Sequence, residues 1–386
     1  MRPLFVQKNS VLLLLVLIVM VSASLVYLFT AGRALLQQPA MTPTPSAVSY
    51  TPLAQLAESH PTKPCRSKQR DFQMGIAFPQ WGTTAYGESD AKWLTELPNI
   101  NTQTAACWVE MPVLFYQSSL TSTTVTQGPS TLSLSSFNYG VHLARALGLH
   151  VFVTPLLTVN GPQPWSGSIE FSTYQQEQQW FERYWQALKP YAVTAARAGV
   201  EQFALGTEYE WLQENAPASL WNELIANLHS VFPGTLTYDI NWTSLQKQPP
   251  SWMHNAYLKM IGVSAYLPLI DTPERVDPNQ IFALWRQTVK SALDNFAIEL
   301  GEPILISEIG YRNSTDALYH SWEPTSSAPP DPAEQAAACD AALANIIPDQ
   351  HILGSFFWGW DDAGAFDLNG MQAVAVIHSH YKALQA

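Results

Sequence analysis

Two glutamates stand where an apolar run gives way to polar residues. Glu208 ends the run in FALGTEYEW, and Glu308 ends the one in ILISEIGY. A carboxylate at the end of such a run is expensive to bury alone, so each needs a basic partner or a chemical task. The structural alternative is an ion pair with one of the 19 Lys and Arg, and buried ion pairs add little stability. The chemical alternative is two carboxylates facing one pocket. Such a pair can cleave a glycosidic bond: one group stays ionised and attacks the anomeric carbon, while the other is held protonated and helps the leaving oxygen depart. The surroundings divide those roles by moving the two pKa values apart. Glu210 is a rival carboxylate, ranked lower because it lies beyond the strand end.

The elements that must position these residues alternate along the chain. Strands are expected over 72–78, 103–113, 150–159, 202–206, 236–240, 260–266, 304–309 and 352–358, each a short apolar run. Helices are expected between them: 89–97, 136–147 capped by Ser136, 173–198 kinked at Pro190, 218–231, 279–300 with Phe282, Trp285, Val289 and Phe296 facing inward, 332–346 and 371–384. Met253 to Tyr257 is at best a short helix. Eight strands separated by crossovers favour parallel pairing with both faces buried. This pattern places residues 71–386 in the α/β class as a closed (β/α)8 TIM barrel. An open doubly wound sheet would show a Gly-rich phosphate turn after its first strand, and Pro79-Gln80-Trp81-Gly82 is not one. In a barrel, active residues sit at the carboxyl ends of the strands. Glu208 then ends the fourth strand and Glu308 the seventh. Asn241 and Trp242 follow the fifth, Tyr266 ends the sixth and Trp358 the eighth. Trp81 follows the first strand as a platform for a sugar ring, and Trp360 is either a second wall or core. Arg312 and Asn313 either edge the pocket or solvate their loop. The loops 118–136 and 322–332 are long enough to form a rim over the active face.

Five stretches, GIAFPQWG, ALGTEYEW, GVSAYLPL, ISEIGYRN and FFWGW, together resemble glycoside hydrolase family 113, a group of β-mannanase-type enzymes in the large retaining clan of (β/α)8 glycosidases. The resemblance runs from about residue 72 to the C-terminus. It implies that Glu208 is the acid/base and Glu308 the nucleophile. It implies that Tyr266 donates a hydrogen bond to the nucleophile, which favours the ionised carboxylate, and that Trp358 lies under the sugar beside the cleaved bond. It implies no metal and no organic cofactor. Most of the clan carries Asn immediately before the acid/base to bind the sugar 2-hydroxyl. Here that position is Thr207, and family 113 is similar in lacking the Asn, so the 2-hydroxyl contact is left unassigned. The implied substrate is β-1,4-mannan. The alternatives are another β-linked hexoside, or a non-catalytic cell-surface barrel that binds glycan on its Trp faces.

Composition sets the outer bounds. Of 386 residues, 47% are apolar and only 13% charged, which excludes a largely disordered chain. A net charge of −12 argues against a nucleic-acid partner. The 14 Trp exceed what a core alone usually needs and suit carbohydrate as the partner. Residues 11–32 carry no charge and would span ~30 Å as a helix; Arg2 and Lys8 precede them in a short cytoplasmic region, 1–10. A signal anchor is expected there, or a signal peptide if it is cleaved, followed by a Pro-rich tether over 33–70 and an extracellular catalytic domain, membrane-bound or secreted. The domain is expected to act as a monomer. The nine His show no metal-ligand spacing. Cys107 reads as a buried small hydrophobe, and Cys65 and Cys339 as a pair that oxidation would join.

Overall fold

Alternation of strand and helix closes into a barrel in the computed structural model, which describes residue 67 and residues 70–161, 165–362 and 364–386. All of these belong to one unit, Pro52–Ala386. The expected anchor at 11–32 lies outside the described residues, as does most of the tether; among the described residues no helix is long and apolar enough to cross a membrane.

In chain order the elements are β1 (Gln73–Ala77), α1 (Ala91–Thr104), β2 (Trp108–Gln117), β3 (Val125–Thr126), α2 (Leu134–Ala146), β4 (His150–Val159), α3 (Tyr174–Ala198), β5 (Gln202–Thr207), α4 (Glu210–Asn215), α5 (Ala218–Val231), β6 (Thr235–Asn241), β7 (Ile261–Ser264), α6 (Pro278–Trp285), α7 (Ser291–Leu300), β8 (Ile304–Ile309), α8 (Pro332–Ile346), β9 (Ile352–Phe357) and α9 (Gln372–Gln385). The strand order is β1-β9-β8-β7-β6-β5-β4-β2-β3, and β1 pairs with β2 to close the ring. Every pairing within the ring is parallel. The two-residue β3 pairs antiparallel with the end of β2 and lies outside the ring. Eight parallel strands in sequence order, with helices between them, make a (β/α)8 barrel.

The strands are almost wholly buried because side chains point alternately into the barrel and toward the helices. The helices bury one stripe. On α3, Trp180, Tyr184, Leu188 and Tyr191 recur at helical spacing and are fully buried. Several local expectations are corrected. The first helix extends through Pro98 to Thr104, where Ala105 adopts a left-handed backbone, so residues 103 and 104 end a helix and β2 begins only at Trp108. Ser133, not Ser136, caps α2: its hydroxyl accepts from the Ser136 N–H at 3.1 Å. Pro190 is accommodated within α3 without ending it. α6 and α7 are joined by a π-helical turn, Arg286–Lys290, and Phe282 faces outward.

The cysteine expectations are also corrected. Cys339 is a free thiol buried in α8, so no Cys65–Cys339 bond forms. Cys107 is buried as expected, but it is disulfide-bonded rather than a simple apolar filler.

Candidate active site

Glu208 follows β5 directly. Its backbone is left-handed (φ 59°), a conformation that costs a non-glycine residue about 1–2 kcal/mol and that persists where the surroundings enforce it. The enforcement is visible. The Glu208 N–H donates to the Asp239 carbonyl on β6 at 2.8 Å, and the next N–H, of Tyr209, donates to the Tyr238 hydroxyl at 3.0 Å. Tyr209 is itself fixed in the core: its hydroxyl meets that of Tyr184 at 3.2 Å. The turn therefore drives Tyr209 inward and Glu208 toward the open end of the barrel. Glu208 Oε2 accepts from Trp165 Nε1 at 3.1 Å. Burial pushes the Glu208 carboxyl up; Trp165, Asn241 and Ser264 pull it part of the way back, and Glu210 adds a further upward push.

Glu308 is the last residue but one of β8. The Tyr266 hydroxyl, just past β7, donates to Glu308 Oε2 at 3.2 Å. Burial, then the charge of Glu208 and that of Asp239 when ionised, push the Glu308 carboxyl well up, and the Tyr266 bond offsets only part of this. The tyrosine therefore acts in the expected direction without setting the net shift. The negative charge of Glu208 helps to raise Glu308 because like charges in one desolvated site repel.

Both glutamates line one cleft of about 1250 Å³ at the carboxyl ends of the strands. The expected Trp81, Asn241, Tyr266 and Trp358 line it too. Asn241 Oδ1 accepts from the Thr243 N–H at 3.0 Å, which turns the Nδ2 donor toward Glu208. Trp360 is not brought to the cleft. It is fully buried and belongs to the core, so its reading as a second wall is corrected. Its N–H donates to the Ala77 carbonyl on β1 at 2.8 Å, which holds it against the ring and away from the cleft. Glu210 is also settled: it starts α4 and pairs with Lys247.

Thr207 lines the cleft, and its buried hydroxyl has no partner. Arg312, at 1% exposure, does not edge the cleft. Its guanidinium donates to the carbonyls of Asp316, Tyr319, His320 and Glu323 at 2.7 to 3.1 Å and so staples the loop after β8. That loop carries Trp322 to the cleft, where its ring lies 5.3 Å from that of Trp242. The expected rim at 322–332 is thus present at Trp322, Pro324 and Thr325, and Ser130 represents the loop 118–136.

Sequence reasoning missed Trp165, Glu110 and Asp239, and placed Trp322 only as the start of a rim loop. Glu110 on β2 is fully buried, takes a 2.5 Å hydrogen bond from Thr154 on one oxygen and has none on the other. Burial pushes it well up, and the charge of Glu308, with that of Asp239 when ionised, pushes it further. Asp239 on β6 is fully buried as well. The signal available for the two Trp was their position in loops that follow strands on the active face; for the two acids it was an acidic residue inside a strand of a closed barrel.

Among the described residues no group of His, Cys, Asp and Glu could hold a metal ion. The site offers an acid, a carboxylate, a tyrosine donor and several aromatic faces. A parallel (β/α)8 barrel with carboxylates at the ends of its fourth and seventh ring strands, sharing an aromatic cleft, defines a class: the glycoside hydrolases. The chain belongs to glycoside hydrolase family 113, whose family model matches residues 77–373.

Solved structures of similar fold agree. One is a GH113 β-1,4-mannanase, 20% identical, covering 81% of this chain and 99% of that one with a TM-score of 0.67. Another is the GH113 β-mannanase AaManA from Alicyclobacillus acidocaldarius in complex with ManMIm, 21% identical, covering 83% and 100%, also with a TM-score of 0.67. A family 5 mannosidase from Rhizomucor miehei is 12% identical over 81% of this chain and 93% of that one, with a TM-score of 0.53. A search of curated proteins gives no match.

Proposed function

We propose that this glycoside hydrolase cleaves β-1,4-linked mannan or manno-oligosaccharides with retention, through a covalent glycosyl-enzyme. Glu308 attacks the anomeric carbon while Glu208 protonates the departing oxygen. Glu208, now a carboxylate, then takes a proton from water, which attacks the same carbon and releases Glu308. Tyr266 holds Glu308 in line and stabilises its charge before attack. Asn241 Nδ2 is the donor best placed to take over the sugar 2-hydroxyl in place of the Asn that Thr207 replaces. Trp358 and Trp81 supply apolar faces for the sugar rings.

The observation that carries the reading is the shared cleft. Two buried carboxyls, both held above their ordinary range, stand at the ends of ring strands four and seven in a member of family 113. Similarity to β-mannanases supports the choice of mannan. The uncharged run at 11–32 and the disulfide at Cys107 support export to an oxidising compartment, with the enzyme held at the membrane or secreted.

The test is reducing-sugar release by the full-length chain from β-mannan, xylan, cellulose and mixed β-glucan, beside Glu308→Ala. Release from mannan by the wild type, lost in the variant, is expected. Release from another polymer alone, also lost in the variant, would keep the chemistry and discard mannan.

A further inference from the structure

Beneath the catalytic cleft lies a set of buried polar groups that the reaction does not touch. Asp239 is at its centre. It is fully buried, and neither carboxyl oxygen makes a hydrogen bond of ordinary geometry. The Thr237 hydroxyl beside the same strands is likewise unpartnered, while the hydroxyls of Ser264 and Ser307 face Glu208 and Asp239 respectively without reaching ordinary hydrogen-bond geometry. The charged or titratable groups acting on Asp239 or influenced by it are Glu208 past β5, Glu110 on β2, Glu308 on β8, Tyr184 on α3 and its neighbour Tyr238. None of these is a cation. An ionised carboxylate is not stable in such a place, and burial accordingly pushes Asp239 up to about 8.

The seat of this carboxyl is built by sequence. Asp239 pairs across the ladder with Gly262 on β7. A Cβ on Gly262 would lie 1.8 Å from Asp239 Oδ1 and 2.7 Å from Ser307 Oγ. The carboxyl thus occupies the space of the missing side chain, next to the residue that precedes Glu308. The backbone carbonyl of Asp239 itself accepts the N–H of Glu208 in its left-handed turn. Both neighbouring ladders are irregular here. β5 and β6 lose register after Ala204 and regain it at Thr207 opposite Asp239, and β7 and β8 shift between Gly262 and Ser264. Irregularities of this kind re-aim side chains beside active sites.

We propose that Asp239 is a neutral acid seated over Gly262, and that it is the positioning residue that fixes Glu208 through its backbone and Glu308 through the Ser307 contact. It touches no substrate. Its neutrality keeps a third charge away from the pair, and its shape holds the two strand tips at their working separation. This rests on the assignment of Glu208 and Glu308 above.

The experiment compares full-length wild type, Asp239→Asn, Gly262→Ala and the double variant Asp239→Ala/Gly262→Ala. Readouts are kcat and KM on a β-1,4-manno-oligosaccharide, the pH profile, the melting temperature, and protons released on unfolding. Asp239→Asn keeps shape and neutrality, so kcat within about threefold and both pH limbs unmoved are expected. Because the folded Asp239 holds its proton to about pH 8, wild-type stability falls as pH rises through this window. Asp239→Asn should lose roughly one proton from that dependence. Gly262→Ala evicts the carboxyl, and kcat should drop roughly 10²-fold at nearly constant KM, as a misplacement on the order of 1 Å can do. In the double variant the two methyls share the seat: the melting temperature should recover and kcat should not.

Two results would overturn the proposal. One is a downward shift of about one unit in either pH limb of Asp239→Asn, since a removed charge would have that effect. The other is recovery of kcat together with the melting temperature in the double variant, which would make the seat mere filling. The unfolding readouts need no substrate. A chain inactive on mannan but showing the expected proton count would therefore discard the substrate and not the seat.

Discussion

Glu208 is held by its neighbours rather than by its own preference. A left-handed backbone, a carbonyl from β6 and the buried Tyr209 fix it, while Trp165 Nε1 supplies a donor to its carboxyl. An N–H donated to a carboxylate favours the ionised form and lowers the pKa. Trp165→Phe removes that donor and keeps an aromatic face. The Glu208 pKa then rises, and because the acid works when protonated, the alkaline limb of the kcat/KM profile should move to higher pH by under about one unit. An unmoved limb would show that the indole bond is absent in the working enzyme. Legibility at this scale followed position along the strand. Glu208 and Glu308 were readable because each ends an apolar run. Glu110 in WVEMPVLF and Asp239 in TLTYDIN were not, since one acid in an alternating strand reads as facing water. Only closure of the ring turns that face inward. Trp165 was hidden because a loop, not a repeat, brings it to Glu208.

The loop after β8 shows how an element can be organised by one side chain. Arg312 spends its donors on four carbonyls and sits 3.4 Å from Asp316. Removing it leaves those carbonyls without partners, and breaking a buried charged network of this kind costs about 3–5 kcal/mol. Arg312→Ala should therefore lower the melting temperature and raise KM more than it lowers kcat, because Trp322 leaves the cleft while the two carboxylates stay. Arg312→Lys should behave similarly, since one ammonium cannot reproduce the planar fork. Equal loss in kcat with KM unchanged would contradict this. Strand and helix periodicity made nearly every ring element readable in advance. The errors fell at ends: two serines three residues apart both suit a cap, and the Asn101–Thr104 turn carries no Gly to mark the stop. The role of Arg312 was not readable because its partners are backbone carbonyls, which every residue carries.

At the scale of the whole molecule, the barrel closes through β1 pairing with both β2 and β9. Cys107 lies just before β2, and its N–H donates to the Met74 carbonyl on β1 at 2.8 Å. Its disulfide thus sits beside the point of closure. Losing a native disulfide typically costs about 2–5 kcal/mol. Reductant should therefore lower the melting temperature of the wild type, Cys107→Ser should show the lower value without reductant, and Cys339→Ser should still respond to reductant. No response of the wild type would contradict a structural bond. The central claim is that Glu308 becomes covalently bonded to the sugar, and trapping that bond tests it most directly. The full-length enzyme would be treated with a 2-deoxy-2-fluoro-β-mannosyl fluoride, which slows release of the intermediate, and then digested and read by mass spectrometry. The account predicts one sugar adduct per chain, on the peptide containing Glu308, and none in Glu308→Ala. An adduct on Glu208 or elsewhere, or an active enzyme that turns over mannan with inversion and forms no adduct, would contradict it.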